Sequence, residues 1–247
     1  MQTVILAGGL GTRLRKAVNG IPKSMAPVAG RPFLEHQLLH LKDKGFSEIV
    51  LLIGYLSEAI VDHFGDGSSL GLKIAYSKEG EPLGTAGALK NAEPLLDNSF
   101  LLLNGDTFLD VDYNDLIRLH FERAALVTVA VVEAGDSSRY GSIVLGEEGR
   151  IEAFSEKKET EPGLINGGIY VVSKDVLAYI SPRERTSLES EVIPRLVDEG
   201  KPVYGVIVKG YFVDIGTPES YRSADAHFRS ASGRVEWRRG LNGDAPL

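Results

Sequence analysis

The chain has 247 residues, 43% hydrophobic and 25% charged, enough for one large α/β domain with a sizeable core. Its net charge of −7 excludes a general nucleic-acid binder, and the absence of cysteine excludes a disulfide framework, a thiolate nucleophile and a Cys-based zinc site. No apolar run approaches the roughly 18 residues of a membrane span and the first residues lack a basic n-region, so the expectation is a cytoplasmic protein with no membrane partner.

Val4 to Ala7 is an unbroken apolar run that stops at Gly8-Gly9-Leu10-Gly11-Thr12-Arg13-Leu14, which predicts a buried strand ending in a loop. Without Cβ atoms, Gly8, Gly9 and Gly11 let backbone N–H groups approach an anion closely. Thr12, Arg13 and the nearby Lys23 add a hydroxyl and two cations that suit phosphate oxygens. A tight turn alone would explain the glycines but not those three side chains. The Rossmann fingerprint is excluded because position 14 is Leu, and no Gly-Lys-Ser/Thr triplet of a P-loop occurs. The stretch from Leu6 to Arg13, with Lys23, therefore reads as a polyphosphate cradle.

A helix is expected over Arg31–Lys44, where Phe33, Leu34, Leu38 and Leu41 recur at helical spacing before Gly45. Ile49–Ile53 is an apolar strand, and Ser57 caps a helix through Phe64. Asp66–Ser69 is a loop, Leu72–Tyr76 a short strand and Gly84–Ala92 a short helix. Phe100–Leu103 is the next buried strand, ending at Asn104-Gly105-Asp106. Asp112–Arg123 is helical and Val127–Val132 is another apolar strand. Strands alternating with helices, several apolar throughout, imply a largely parallel sheet covered on both faces.

The pattern then changes. Ser142–Leu145 and Arg150–Phe154 alternate around Gly146–Gly149, which reads as a hairpin. Ile169–Val172 is a strand, Lys174–Ile180 and Leu188–Glu199 are helices, Val203–Val208 and Tyr211–Ile215 are extended, and Pro218 opens a helix to about Arg229. The polar stretch 230–247 has little periodicity, predicting a tail with little fixed structure beyond a domain of residues 1–229. The five histidines lie scattered through expected helices and read as surface or core residues rather than metal ligands.

Two aspartates stand out as ligands for a hard divalent cation. Asp106 follows an apolar strand, where an open α/β sheet places its ligands, and Asp214 follows Phe212-Val213 and precedes Gly216. Asp110 and Asp112 read as loop and N-cap residues. The loop Glu79-Gly80-Glu81-Pro82-Leu83-Gly84-Thr85-Ala86-Gly87 offers flat backbone at Gly84 and Gly87, a hydroxyl at Thr85, and carboxylates matched to the adjacent donors of guanine, Glu81 ahead of Glu79.

Leu6-Ala7-Gly8-Gly9-Leu10-Gly11-Thr12-Arg13-Leu14, followed by Pro22-Lys23-Ser24-Met25-Ala26-Pro27-Val28, resembles the signature of the sugar-1-phosphate nucleotidylyltransferases. The resemblance covers about the first 228 residues. It implies a three-layer αβα, Rossmann-like nucleotide-diphospho-sugar transferase fold with a mixed, mostly parallel central sheet. It also implies transfer of a nucleotidyl group from a nucleoside triphosphate to a sugar 1-phosphate, with release of pyrophosphate. On this resemblance Arg13 and Lys23 are catalytic and Asp106 and Asp214 hold Mg2+. The nucleotide is bound by Leu6, Ala7, Gly8, Gly9, Gly11, Thr12, Arg13, Glu81, Pro82, Gly84, Thr85, Asn104 and Gly105. Phe154-Ser155-Glu156-Lys157 resembles the family's Glu-Lys motif, and Asn166-Gly167-Gly168-Ile169-Tyr170 its Asn-x-Gly-Ile-Tyr. Glu156, Lys157, Asn166 and Gly167 are thus implied to bind the sugar phosphate. The family usually has Pro after the Glu-Lys pair; here Lys158 follows.

Arg31-Pro32-Phe33-Leu34-Glu35, Gly54-Tyr55-Leu56-Ser57-Glu58, Phe64-Gly65-Asp66-Gly67 and Asn104-Gly105-Asp106-Thr107-Phe108 look most like the short D-glycero-α-D-manno-heptose 1-phosphate guanylyltransferases of bacterial surface-glycan synthesis. GTP and that heptose phosphate are then the expected substrates, and a homo-oligomer is compatible. Mannose-1-phosphate guanylyltransferases and uridylyl- or thymidylyltransferases are alternatives, as is an inactive nucleotide-sensing subunit. A metal-dependent glycosyltransferase, for which Asp110-Val111-Asp112 has the letters, would leave the opening cradle without a role.

Overall fold

A computed structural model describes residues 1–9, 20–135, 141–156 and 162–241, with backbone alone at 155–156 and 231–241. Strands β1 (Thr3–Leu6), β2 (Pro27–Val28), β3 (Arg31–Pro32), β4 (Glu48–Ile53), β5 (Lys73–Lys78), β6 (Ser99–Asn104), β7 (Thr107–Leu109), β8 (Val127–Ala134), β9 (Gly141–Leu145), β10 (Ile151–Glu156), β11 (Gly163–Ser173), β12 (Val203–Ile207) and β13 (Phe212–Asp214) are interleaved with α1 (Phe33–Asp43), α2 (Ser57–Phe64), α3 (Gly84–Asn91), α4 (Asn114–Glu122), α5 (Ile193–Asp198) and α6 (Pro218–Leu241).

Among the described residues the main sheet has nine strands, in the order β10-β9-β11-β6-β1-β4-β5 with β8 between β11 and β12. The run β6-β1-β4-β5 is parallel, as is β8-β12, whereas β11 runs antiparallel to β6, β8 and β9. Antiparallel β9 and β10 form the expected hairpin, and a bridge between Arg150 and Tyr204 brings that hairpin back to β12. This half of the sheet therefore curls on itself.

The alternation of strand side chains makes two cores. Val4, Val50, Leu52, Phe100 and Leu102 face α3, α5 and the residues around Leu188. Ile5, Leu51, Ile53, Leu101 and Leu103 face Leu34, Leu38 and Leu41 of α1, Ile60 of α2 and Leu116 of α4. A third cluster joins Phe33, Phe108, Val213, Ile215, Ala224 and Phe228, fixing α6 to the two small ribbons β2-β3 and β7-β13. No helix among the described residues is long and apolar enough to cross a membrane.

Several expected boundaries move. Arg31 and Pro32 are not helical: Pro32 has ψ of 141° and pairs with Pro27, so α1 starts at Phe33. Ser57 is not a cap, because Leu56 takes the left-handed conformation ahead of it and no side chain caps α2. Lys174–Tyr179 is 3-10 rather than α-helical, with Ser173 accepting from the Asp175 N–H. The helix expected over Leu188–Glu199 opens as a π turn, Leu188–Val192, before α5; Pro194 has no N–H to continue an uninterrupted ladder. α6 does not end near Arg229 but runs to Leu241, through a stretch holding Ala, Arg and Glu but no proline.

His120 on α4 is buried, its Nδ1 within 3.2 Å of Thr128 Oγ1. Loss of solvent pushes the imidazole down to about 4. Protonation therefore favours the unfolded chain. Stability from this site should be intact above about pH 6.5 and fall by about 3 kcal/mol as pH drops through about 4. Urea unfolding across that window should show a shallower acid decline for His120→Gln than for the unaltered protein.

Candidate functional site

The carboxyl ends of β1 and β6 open into a cavity of about 530 Å³, a size suited to a nucleotide-like ligand. Its lining includes Leu6, Ala7, Gly8 and Gly9 after β1, Asn104, Gly105 and Asp106 after β6, Pro82, Gly84 and Thr85 at the start of α3, and Lys23 and Asp214. These five segments thus converge on one space, although they are spread across the chain.

Asp106 and Asp214 meet because β7 pairs antiparallel with β13, setting Asp214 opposite Thr107. The Ile215 N–H donates to the Asp106 carbonyl at 2.9 Å, closing the ribbon over the end of β6. Lys23 Nζ lies 2.5 Å from Asp106 Oδ2 and 3.7 Å from Asp214 Oδ2. The ammonium expected in the phosphate cradle therefore bridges the two carboxylates, offsetting their mutual repulsion. The Gly216 N–H donates to Asp214 Oδ1 at 2.8 Å, and a Cβ at Gly216 would press on that same oxygen at 2.6 Å. Two oxygen-donor carboxylates at one point fit a magnesium ion, which takes one or two from protein and fills its remaining positions with phosphates and waters.

Gln37 was not singled out by the sequence, yet it holds this loop. Its buried amide donates to the carbonyls of Asn104 and Thr107, at 2.9 and 2.5 Å, bracketing Asp106 on both sides. The available signal was a polar side chain on the apolar face of α1, beside Leu34, Leu38 and Leu41. Arg185 was also missed; it is an exposed cation on the cavity lining.

On the opposite wall, the glycines of the Gly84–Gly87 segment have a different cause from the one expected. A Cβ on Gly84 would lie 2.5 Å from the Thr186 carbonyl oxygen, and one on Gly87 2.6 Å from that of Glu184. They admit the backbone of residues 184–186, with the Ala86 N–H donating to Thr186 O at 3.0 Å. Gly84 still lines the cavity. Glu81 is exposed and outside the lining, whereas Glu79 lies inside it. Glu79 Oε2 accepts from the Leu83 N–H at 3.0 Å, and Oε1 crowds Gly8 and Gly54 so closely that a Cβ on either would collide with it. Burial raises the Glu79 carboxyl above the ordinary value, with the Leu83 bond opposing.

Asn166 and Gly167 do not line this cavity. They form a bulge where the β11–β8 register shifts, with Asn166 Oδ1 accepting from the Gly168 N–H and Asn166 Nδ2 donating to the Tyr170 hydroxyl at 2.6 Å. Glu156 ends β10 and is described by backbone alone. Gly11, Thr12, Arg13 and Lys157 lie outside the described residues.

At the carboxyl ends of the parallel strands β1 and β6, glycine backbone and the carboxylates of Asp106 and Asp214 thus border one cavity. Residues 2–231 match the nucleotidyl transferase family. The chain is 41% identical over 221 residues to a D-glycero-α-D-manno-heptose 1-phosphate guanylyltransferase of Campylobacter jejuni, covering 90% of this chain and 97% of that one. It is 38% identical to a mannose-1-phosphate guanylyltransferase of Mycobacterium tuberculosis, covering 90% of this chain and 62% of the longer relative. The structure of HddC from Yersinia pseudotuberculosis complexed with GMP-PN superposes with a TM-score of 0.81 at 34% identity, over 92% of this chain and 99% of that one. The chain belongs to the nucleotidyl transferase family.

Gln37→Met keeps the bulk but removes two buried donors. It should cost about 1–3 kcal/mol in chemical denaturation and loosen the turn that carries Asp106. Nucleotidyl-transfer turnover per folded molecule should fall on the order of 10²-fold, as expected when a reacting geometry shifts by about 1 Å.

Proposed function

We propose that the protein transfers guanylyl from GTP to D-glycero-α-D-manno-heptose 1-phosphate, releasing pyrophosphate. The observation that carries the transfer chemistry is the meeting of Asp106, Asp214 and Lys23 in the cavity floored by Leu6 to Gly9. The choice of substrates is supported by the near-full-length relative from C. jejuni and by the GMP-PN complex of the Yersinia protein. The transferase domain is taken as residues 1–229 and the setting as the cytoplasm.

An oxygen of the sugar phosphate attacks the α-phosphorus of the triphosphate; the new P–O bond forms as the bond to the β-phosphate oxygen breaks. The attacking phosphate is ionised at neutral pH, so no general base is needed. The difficulty is bringing two anions together while charge grows on pyrophosphate. Backbone at Gly8, Gly9 and Gly11, with Thr12 and Arg13, receives the polyphosphate, and Lys23 adds a positive charge beside it. Asp106 and Asp214 would hold Mg2+, which when bound supplies Lewis-acid stabilisation of phosphoryl charge. Pro82, Gly84 and Thr85 flank the nucleoside, with Asn104 and Gly105 at the end of β6. Glu79, already in the cavity wall, is better sited than Glu81 to accept from guanine. Glu156, Lys157, Asn166 and Gly167 serve the sugar phosphate, with Arg185 as a further cation for it.

A pyrophosphate-release screen of GTP, UTP, dTTP, CTP and ATP against heptose, mannose, glucose and N-acetylglucosamine 1-phosphates tests this. GTP with the manno-heptose phosphate should give the highest kcat/KM. A preference for UTP or dTTP would overturn the base assignment, and a preference for mannose 1-phosphate the sugar assignment.

A further inference from the structure

The π turn Leu188–Val192 carries a side chain that neither the motifs nor the transfer chemistry accounts for. Glu189 projects between the start of α3 and the bulge of β11. Its Oε2 accepts from the Thr85 hydroxyl at 2.6 Å and from the Ser187 hydroxyl at 3.2 Å, and its Oε1 accepts from the Tyr170 hydroxyl at 3.4 Å. The directions of these bonds are forced. Thr85 Oγ1 already accepts from the Leu188 N–H at 2.7 Å, so its hydrogen goes to Glu189. The Tyr170 oxygen already accepts from Asn166 Nδ2 and is reached by the Asn104 side chain, so its hydrogen goes to Glu189 too. Tyr170 is fully buried, which makes any unpaired hydroxyl there expensive.

We propose that Glu189 is a positioning residue, one carboxylate tying the nucleotide-side helix at Thr85 to the sugar-side strand at Tyr170 and Asn166. The inference rests on the assignment of those two segments given under Proposed function. Through Asn104 the tie continues to the end of β6, directly before Gly105 and Asp106. Glu189 thus holds two substrate half-sites in one register without touching either substrate. The π turn carries Glu189 half-buried between these two segments. Ser187 and Ser190 close the turn through the Ser190 N–H bond to Ser187 Oγ, at 3.1 Å.

Glu189→Gln separates the two arms. The amide oxygen can keep the Thr85 bond, but the amide nitrogen then faces Tyr170, whose hydrogen is left without an acceptor. In the full-length enzyme, kcat and the KM for the sugar phosphate should worsen together, with kcat down about ten- to a hundredfold. GTP affinity measured calorimetrically without the second substrate should stay within about twofold, as nothing is removed from the nucleotide side. Tyr170→Phe should give the same split, and the double variant should be no worse than the poorer single one. Tyr170→Phe carries the test on its own if Glu189→Gln does not fold. Unchanged kcat in Glu189→Gln, additive losses in the double variant, or loss of GTP affinity in step with loss of thermal stability would overturn the tie. An unaltered enzyme that binds no GTP or makes no pyrophosphate would instead sink the functional reading.

Discussion

Two carboxylates far apart in the chain share one ammonium group, and the rest of the site is arranged around that contact. Asp106 and Asp214 would repel each other if brought together alone, most strongly where water is partly excluded. Lys23, largely buried beside them, offsets the repulsion, and the β7–β13 ribbon supplies the backbone bonds that hold the pair in register. Gln37 then fixes the turn between β6 and β7 from the helix beneath it. A small ribbon, a single lysine and a buried amide together hold the two carboxylates at the end of β6.

The second constraint is close backbone approach. Gly105 lies so near the Leu6 carbonyl that a Cβ would sit 2.6 Å from it, so the β1 and β6 ends stay side by side only with glycine there. On the far wall, Gly84, with φ of 73°, and Gly87 let residues 184–186 lie against α3, which also brings Arg185 to the cavity. Gly84 and Gly87 thus act through neighbouring backbone, and together they shape this wall of the cavity.

Local pattern made much of the fold legible. The apolar runs of β1, β4, β6 and β8 are buried on both faces and read as strands without tertiary information, and the hairpin of β9 and β10 was marked by its central glycines. The cavity residues Leu6 to Gly9, Asn104 to Asp106 and Asp214 were visible because chemistry and loop position coincide in sequence. Pairing between distant short segments was not visible. β2, β3 and β7 have two or three residues each and owe their form to partners elsewhere, so Arg31 and Pro32 read as helix and the ribbon joining Asp106 to Asp214 gave no signal. Burial was equally hidden within Glu79-Gly80-Glu81, where two carboxylates of the same type differ only in which one turns inward. Glu189 lay inside a stretch that scans as ordinary helix, and only its bonds to Thr85 and Tyr170 reveal which way it faces.

By the proposed function, Asp106 and Asp214 form one divalent-cation site with the triphosphate. Titrating Mn2+ as a paramagnetic stand-in, in the presence of GTP, into the unaltered protein, Asp106→Asn and Asp214→Asn measures this most directly. Each substitution should weaken Mn2+ binding by at least about tenfold while leaving the fold intact, because each replaces one of two anionic carboxylate ligands by a neutral amide. Full-strength Mn2+ binding in either variant would contradict a shared site.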